Sequence, residues 1–278
     1  MACAAAISIL IGAIRMLGKM QTPKWIGILE LISAVLYLGS IAHESASCWQ
    51  DGINTSLLPL VLLIVAAFSV HKGAIHGARS GAALLWFVAP GVLLILLAGI
   101  DELTVPVTVS VKQSSFWAIT PLFLLPVLGD HRIDKSNEKY MKSMMLLGCC
   151  AIAVTLWLNA EQIPVIAENA FYEYSKGITL FGAAERFESV SACLLTAGWF
   201  ALFSYLLGAV YEITEGYKNG WGRWGIWGTI AAAMLIMYNL PINMQIAGVL
   251  CVISWGLIPL LTQCLVGFKK SKKHGKTP

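Results

Sequence analysis

One acidic side chain stands out from the amino-acid sequence: Glu30 is the single carboxylate placed in the interior of an apolar run long enough to cross a bilayer, Glu212 being the last residue of its run. A charge in hydrocarbon is expensive, so such a residue serves as a proton carrier, as a counter-ion for a cationic group, or reaches back to the interface beside Lys24. Tyr37 and Ser40 follow at spacings that put all three on one helical face. Farther along, Trp199, Ser204 and Tyr205 bring polar atoms into an otherwise apolar helix, where they line a path or bond neighbouring helices. Thr120 and Pro121 sit in a run that Pro121 and Pro126 must break, which would expose backbone groups.

Enzyme chemistry finds no support. His43-Glu44 lacks the second histidine of a zinc protease, and neither a nucleophile elbow (GxSxG) nor a phosphate-binding loop (GxxxxGK[ST]) is present. Acids that could work as an intramembrane acid–base pair are lacking. The 7 cysteines lie mostly in apolar runs without CxxC or zinc spacing, so they read as small buried hydrophobes and imply neither disulfides nor a metal. No cofactor is implied.

The elements that must hold these residues are membrane helices. The chain has 278 residues, of which 58% are hydrophobic and 12% charged, with a mean hydropathy of +0.74. Soluble domains carry about 25% charged residues, so this composition excludes a soluble enzyme, a disordered chain and a nucleic-acid-binding module. Apolar runs predict spans near 25–43, 55–71, 80–100, 114–129, 141–159, 189–212, 224–240 and 242–266, preceded by a partial span at 2–14. The fold class is therefore an all-α integral membrane bundle of about eight full spans plus an N-terminal remnant, one domain over 1–268 with a basic tail at 269–278.

Charge orients the bundle. With 15–24 placed in the cytoplasm and the spans alternating, only Lys112, Lys176 and Arg186 of the 19 basic residues fall outside. The tail lysines (Lys269, Lys270, Lys272, Lys273 and Lys276) become a cytoplasmic, lipid-contacting C-terminus. Trp25, Trp117, Trp221, Trp224 and Trp227 fall near span ends, as an aromatic belt requires. Residues 104–112 suit an extended loop, and 163–181 suit a helix lying on the outer surface. Gly73, Gly77 and Gly81 form a smooth ridge that invites close helix packing.

Three stretches carry a likeness to a known family: GAIHGAR with its Gly73-x5-Arg79 element, Pro126 followed by a basic loop (PVLGDHRIDKSNEKYMKS), and GAAERFESVSACLLTAGWFALFSYLLGAVYE. In these the chain resembles the endospore-germination permeases, the membrane-embedded B subunits of germinant receptors within the amino-acid/polyamine/organocation transporter superfamily. The resemblance implies a ten-span fold of two inverted five-helix repeats, here truncated so that the spans are the third to the tenth. It also implies a mid-membrane site beside broken helices. By that likeness the protein sits in the cell membrane (the spore inner membrane) and binds a small nutrient such as an amino acid. It then signals to partner membrane or lipoprotein subunits. The expected pocket comprises Glu30, Tyr37, Thr120, Pro121, Trp199, Ser204 and Tyr205. SFWAITPLFL departs from the family pattern in lacking an acid before the proline. Two other functions fit the composition: a proton-coupled secondary transporter using Glu30, and a membrane scaffold without a ligand.

Overall fold

The computed structural model describes residues 24–47, 57–98, 120–125, 147, 187–240 and 242–262. The opening run at 2–14, the loops at 104–112 and 163–181, Trp117 and the tail at 269–278 lie outside the described residues. So do the spans at 114–129 and 141–159, apart from 120–125 and 147.

In a medium without water a backbone must satisfy its own polar groups, and the apolar runs do so as helices. These are α1 (Lys24–Ser47), α2 (Leu57–Val70), α3 (Ala74–Ala98), a 3₁₀ turn (Thr120–Phe123), α4 (Phe187–Tyr217), α5 (Trp221–Asn239) and α6 (Met244–Cys251). The last continues directly into a π-helical turn, Val252–Leu257, and stays helical to 262. Among the described residues there is no strand.

Among the described residues, four helices are long and apolar enough to cross a membrane: Trp25–His43, Ala74–Ile95, Ser189–Tyr217 and Met244–Thr262. They correspond to the runs expected at 25–43, 80–100, 189–212 and 242–266. The run at 55–71 folds as α2, whose 14 residues rise only about 21 Å and fall short of a hydrocarbon core. The run at 224–240 folds as α5, whose glycines and Arg223 in WGRWGIWG leave it less apolar than those four. Of the eight expected spans, four appear among the described residues.

Tight turns set the helix order. Gly73 (φ 131°) joins α2 to α3, and Gly220 (φ 86°) joins α4 to α5, in left-handed conformations that a side chain would strain. At the second turn the Glu215 carboxylate accepts from the backbone N–H of Gly220 (2.8 Å) and of Gly222 (2.9 Å). It thereby fills the open donors at the start of α5. Asn243 caps α6 by accepting from Gln245 N–H at 2.9 Å.

α4 is the centre of the bundle, packed by α1, α2, α3 and α5, while α6 packs on α1. The contacts fix direction. Gly77, Gly81 and Gly91 of α3 meet Ser204, Ala201 and Leu194 of α4, so these two helices are antiparallel. The first turn of α1 (Gly27) meets the last turns of α4 (Ile213 and Tyr217), and the first turns of α5 (Gly222 and Gly225) meet Tyr211 and Thr214. One end of the bundle therefore collects the starts of α1, α3 and α5 with the finishes of α2 and α4. Lys24, Lys218 and Arg223 belong to that end and Lys72 to the α2–α3 turn on the same side, whereas Arg79 lies farther in, between the α3 glycines that meet Ser204 and Ala201. Exposed Trp25, Trp221 and Trp224 ring it, and the Lys218 ammonium lies 5.2 Å from the centre of the Trp221 ring. Along the flanks Val61, Val65, Phe68, Trp86, Phe87, Leu235 and Ile246 point outward, an apolar surface suited to lipid tails.

Candidate functional site

Glu30, Ser33 and Tyr37 occupy one face of α1 at spacings of three and four. All three are buried, Glu30 to 1% exposure. They face the π-helical turn, in which Val252, Ser254, Trp255 and Gly256 are all buried, a broader inward surface than the stripe of a regular α-helix.

Ser33 is the hub. Its Oγ lies 2.6 Å from Ser254 Oγ and receives the Trp255 indole N–H at 2.8 Å. The Ser33 hydroxyl can donate to Leu29 O (2.9 Å) or Glu30 O (3.0 Å), and Ser254 has its own outlet in Leu250 O at 2.8 Å. A hydroxyl has one proton, so these serines trade it among fixed acceptors while Trp255 supplies a permanent donor. The Trp255 N–H also approaches Glu30 O at 3.3 Å. Cys251 donates its thiol to Ser33 O at 3.4 Å. The ring of Tyr37 stands edge-on to Trp255, with centroids 5.9 Å apart and planes at 88°. Glu30 thus joins the network through its backbone carbonyl, and its buried side chain leaves the same face of α1 one turn before the Ser33 hydroxyl, a setting that can hold a proton or a small polar solute.

The expected pocket residues divide between places. Glu30 and Tyr37 share this α1–α6 seam. Thr120 and Pro121 are buried in the 3₁₀ turn, which packs on α6. The Pro121 carbonyl, expected to be exposed at a helix break, accepts instead from Leu124 N–H at 2.9 Å, because the 3₁₀ turn closes on it. Ser204 belongs to another seam, where it accepts from Ser69 Oγ at 3.3 Å between α2 and α4. Tyr205 is half-buried against the apolar core. Trp199 is half-buried and stacked on Phe203 (6.5 Å, 27°), and its indole N–H is buried without a hydrogen-bond partner. Since Gly27 is level with Ile213 and Tyr217, helix rise puts Trp199 roughly 20 Å along the bundle axis from Glu30. A small solute cannot touch both.

The sequence reading missed Ser33, Cys251, Ser254 and Trp255. Two signals were available. Ser33 follows Glu30 at three residues, on the same face as Tyr37. Trp255 lies deep within an apolar run, away from the interfacial belt, where an indole N–H must find an acceptor. Gly77 and Gly81 of the glycine ridge meet α4, whereas Gly73 has open space where a side chain would be and serves the turn. Among the described residues no three His, Cys, Asp or Glu side chains group to hold a metal ion.

Comparison with known protein families, with curated proteins and with solved structures finds no match.

Proposed function

We propose that this chain is a multi-pass membrane protein that recognises a small polar solute at Glu30. As the resemblance to germination permeases implies, it would pass the bound state to partner subunits of a germinant receptor. One observation carries the reading: a carboxyl side chain buried to 1% exposure within a helix long and apolar enough to cross a membrane. Plain helix packing has no use for so costly a group. The neighbouring turn supports solute recognition, because Ser33, Ser254 and Trp255 form a polar network whose serine protons can be redirected when a solute arrives.

The remaining features of the proposal follow from the same map. The bundle in this reading is all-helical, with about eight spans. The cation-bearing end faces the cytoplasm, which the shared side of Lys24, Lys72, Lys218 and Arg223 supports, and the C-terminus lies on that side. With Glu30 as anchor, the pocket is drawn from Glu30, Ser33, Tyr37, Ser254 and Trp255, with Thr120 and Pro121 on the α6 side.

The test is a thermal-unfolding screen of the detergent-purified protein against amino acids and related nutrients. A solute at 100 times its dissociation constant adds about 2.7 kcal/mol of stability. A stabilising solute whose effect disappears in Glu30→Gln supports the reading; stabilisation that survives the substitution removes Glu30 from it.

A second reading is favoured by the height of Glu30, only three residues beyond the α1 turn that meets the finish of α4. There it could exchange a proton with the cation-bearing side and drive uptake as the coupling acid of a secondary transporter. Loss of pH-driven uptake in Glu30→Gln proteoliposomes would select this reading, and unchanged uptake would reject it.

A further inference from the structure

Access to Glu30 is a separate matter from what Glu30 recognises. Tyr217 is the last residue of α4, followed immediately by the exposed turn of Lys218, Asn219 and Gly220. Its side chain is half-buried and reaches back across the first turn of α1. A methyl group built on Gly27 would lie 3.0 Å from Tyr217 Oη and 3.7 Å from Cε2, so the missing side chain of Gly27 makes the place the phenol occupies. The phenol oxygen takes a hydrogen bond from the Ile28 backbone N–H and lies within electrostatic range of Glu30. Ile213, one turn earlier on α4, closes the other side of Gly27. One turn deeper along α1 come Glu30 and then Ser33, which meets the Cys251 thiol.

We propose that Tyr217 is the residue that closes the approach to Glu30 from the cation-bearing end. It does so with its ring over Gly27 and its oxygen on the Ile28 amide. The ring is held by one hydrogen bond and a glycine niche at the very end of a helix. A change of side-chain rotamer or a local opening of that turn would uncover the passage. Tyr217 is thus a positioning residue: it governs whether water, protons or a solute reach the carboxyl from that side.

The protein carries its own reporter. Cys251 is fully buried in the polar network just beyond Glu30, and fragmentation in the mass spectrometer separates its label from one on Cys264, which shares its tryptic peptide. The experiment measures the rate at which a charged, membrane-impermeant methanethiosulfonate modifies Cys251 in sealed vesicles of each orientation. Trypsin cleavage after Lys218 assigns the sides. Tyr217→Ala should label at least about tenfold faster from the Lys218 side and at the wild-type rate from the other, the size of change that a ~1.4 kcal/mol shift in opening produces. Tyr217→Phe keeps the ring, loses the bond to Ile28, and should give a rise of about two- to threefold. An unchanged rate in Tyr217→Ala, or a rise that is equal from both sides, overturns the proposal. Should Tyr217→Ala fail to fold, Gly27→Ala takes its place, since the added methyl crowds the phenol; a one-sided rise is again expected, and its absence is equally fatal. The labelling needs no ligand, so its outcome is independent of the solute reading above.

Discussion

The α3–α4 seam and the α1–α6 seam hold helices together by opposite means. Along α3–α4 the backbones come close because side chains are missing. A methyl on Gly81 would sit 3.1 Å from Ala201 O, one on Gly77 would collide with Val70 and lie 3.1 Å from Ser204 O, and one on Gly91 would meet Leu194 at 2.7 Å. Such contacts are numerous, non-directional and lost all at once if the helices part. Along α1–α6 the contact is made by Ser33, Ser254, Trp255 and Cys251 through hydrogen bonds with several alternative acceptors. Those bonds can be exchanged without separating the helices. The difference assigns rigidity to one seam and chemistry to the other, with α4 as the frame and the π-helical turn as the adaptable element.

Substitutions can break this contrast. The largest effect is expected from Gly77→Leu, which forces a branched side chain against Val70 and the Ser204 backbone. It should cost about 3 kcal/mol or more and shift thermal unfolding strongly, without altering the stabilisation a bound solute adds to whatever folds. A near-normal melting temperature in this variant would mean that the α3–α4 seam is not the rigid one. Next comes Ser33→Ala. It leaves the Trp255 N–H with only the distant Glu30 carbonyl, for a loss of about 1–2 kcal/mol, and it should also weaken the solute effect. If solute stabilisation is fully retained, the hub is structural only. Trp255→Phe preserves a ring beside Tyr37 but removes the donor, for about 1 kcal/mol, and sharpens the comparison by separating hydrogen bonding from packing. The smallest shift belongs to Glu215→Gln, at the α4–α5 turn outside both seams. An amide retains one oxygen for the Gly220 and Gly222 donors, so a slight fall in melting temperature with unchanged solute response is expected, and a change in that response would extend the functional region to the turn.

The two seams also differed in how far they could be read from the sequence. Apolar runs located α1, α3, α4 and the α6 helix, since hydrocarbon-length hydrophobicity is a property of the local chain. However, α3 begins six residues before its run and α4 ends five after its own, where polar residues continue the helix. The glycine spacing of the α3 ridge is likewise local, and the helix that fills it follows from geometry. Glu30 and Tyr37 were legible because a carboxylate and a phenol are costly to bury and share a face. Ser33 was not, because a serine in a helix can satisfy its hydroxyl on the preceding turn, here at Leu29 O, and so advertises no need for a partner. The π-helical turn at Val252–Leu257 was not legible either, since a single wider turn inside an apolar run leaves no periodic signature in the spacing of its residues. Trp199, Ser204 and Tyr205 were grouped with Glu30 by polarity alone. Polarity says nothing about height in the membrane, and roughly 20 Å of helix rise separates Trp199 from that carboxyl.

Solute recognition at Glu30 is tested most directly by thermal unfolding of purified wild type and Glu30→Gln side by side across a nutrient panel. The expected result is at least one solute that raises the wild-type melting temperature in a saturable, concentration-dependent way and leaves Glu30→Gln unmoved. A panel in which no solute stabilises the wild type, or in which the two proteins respond alike, contradicts it and leaves Glu30 as a structural acid in a membrane scaffold.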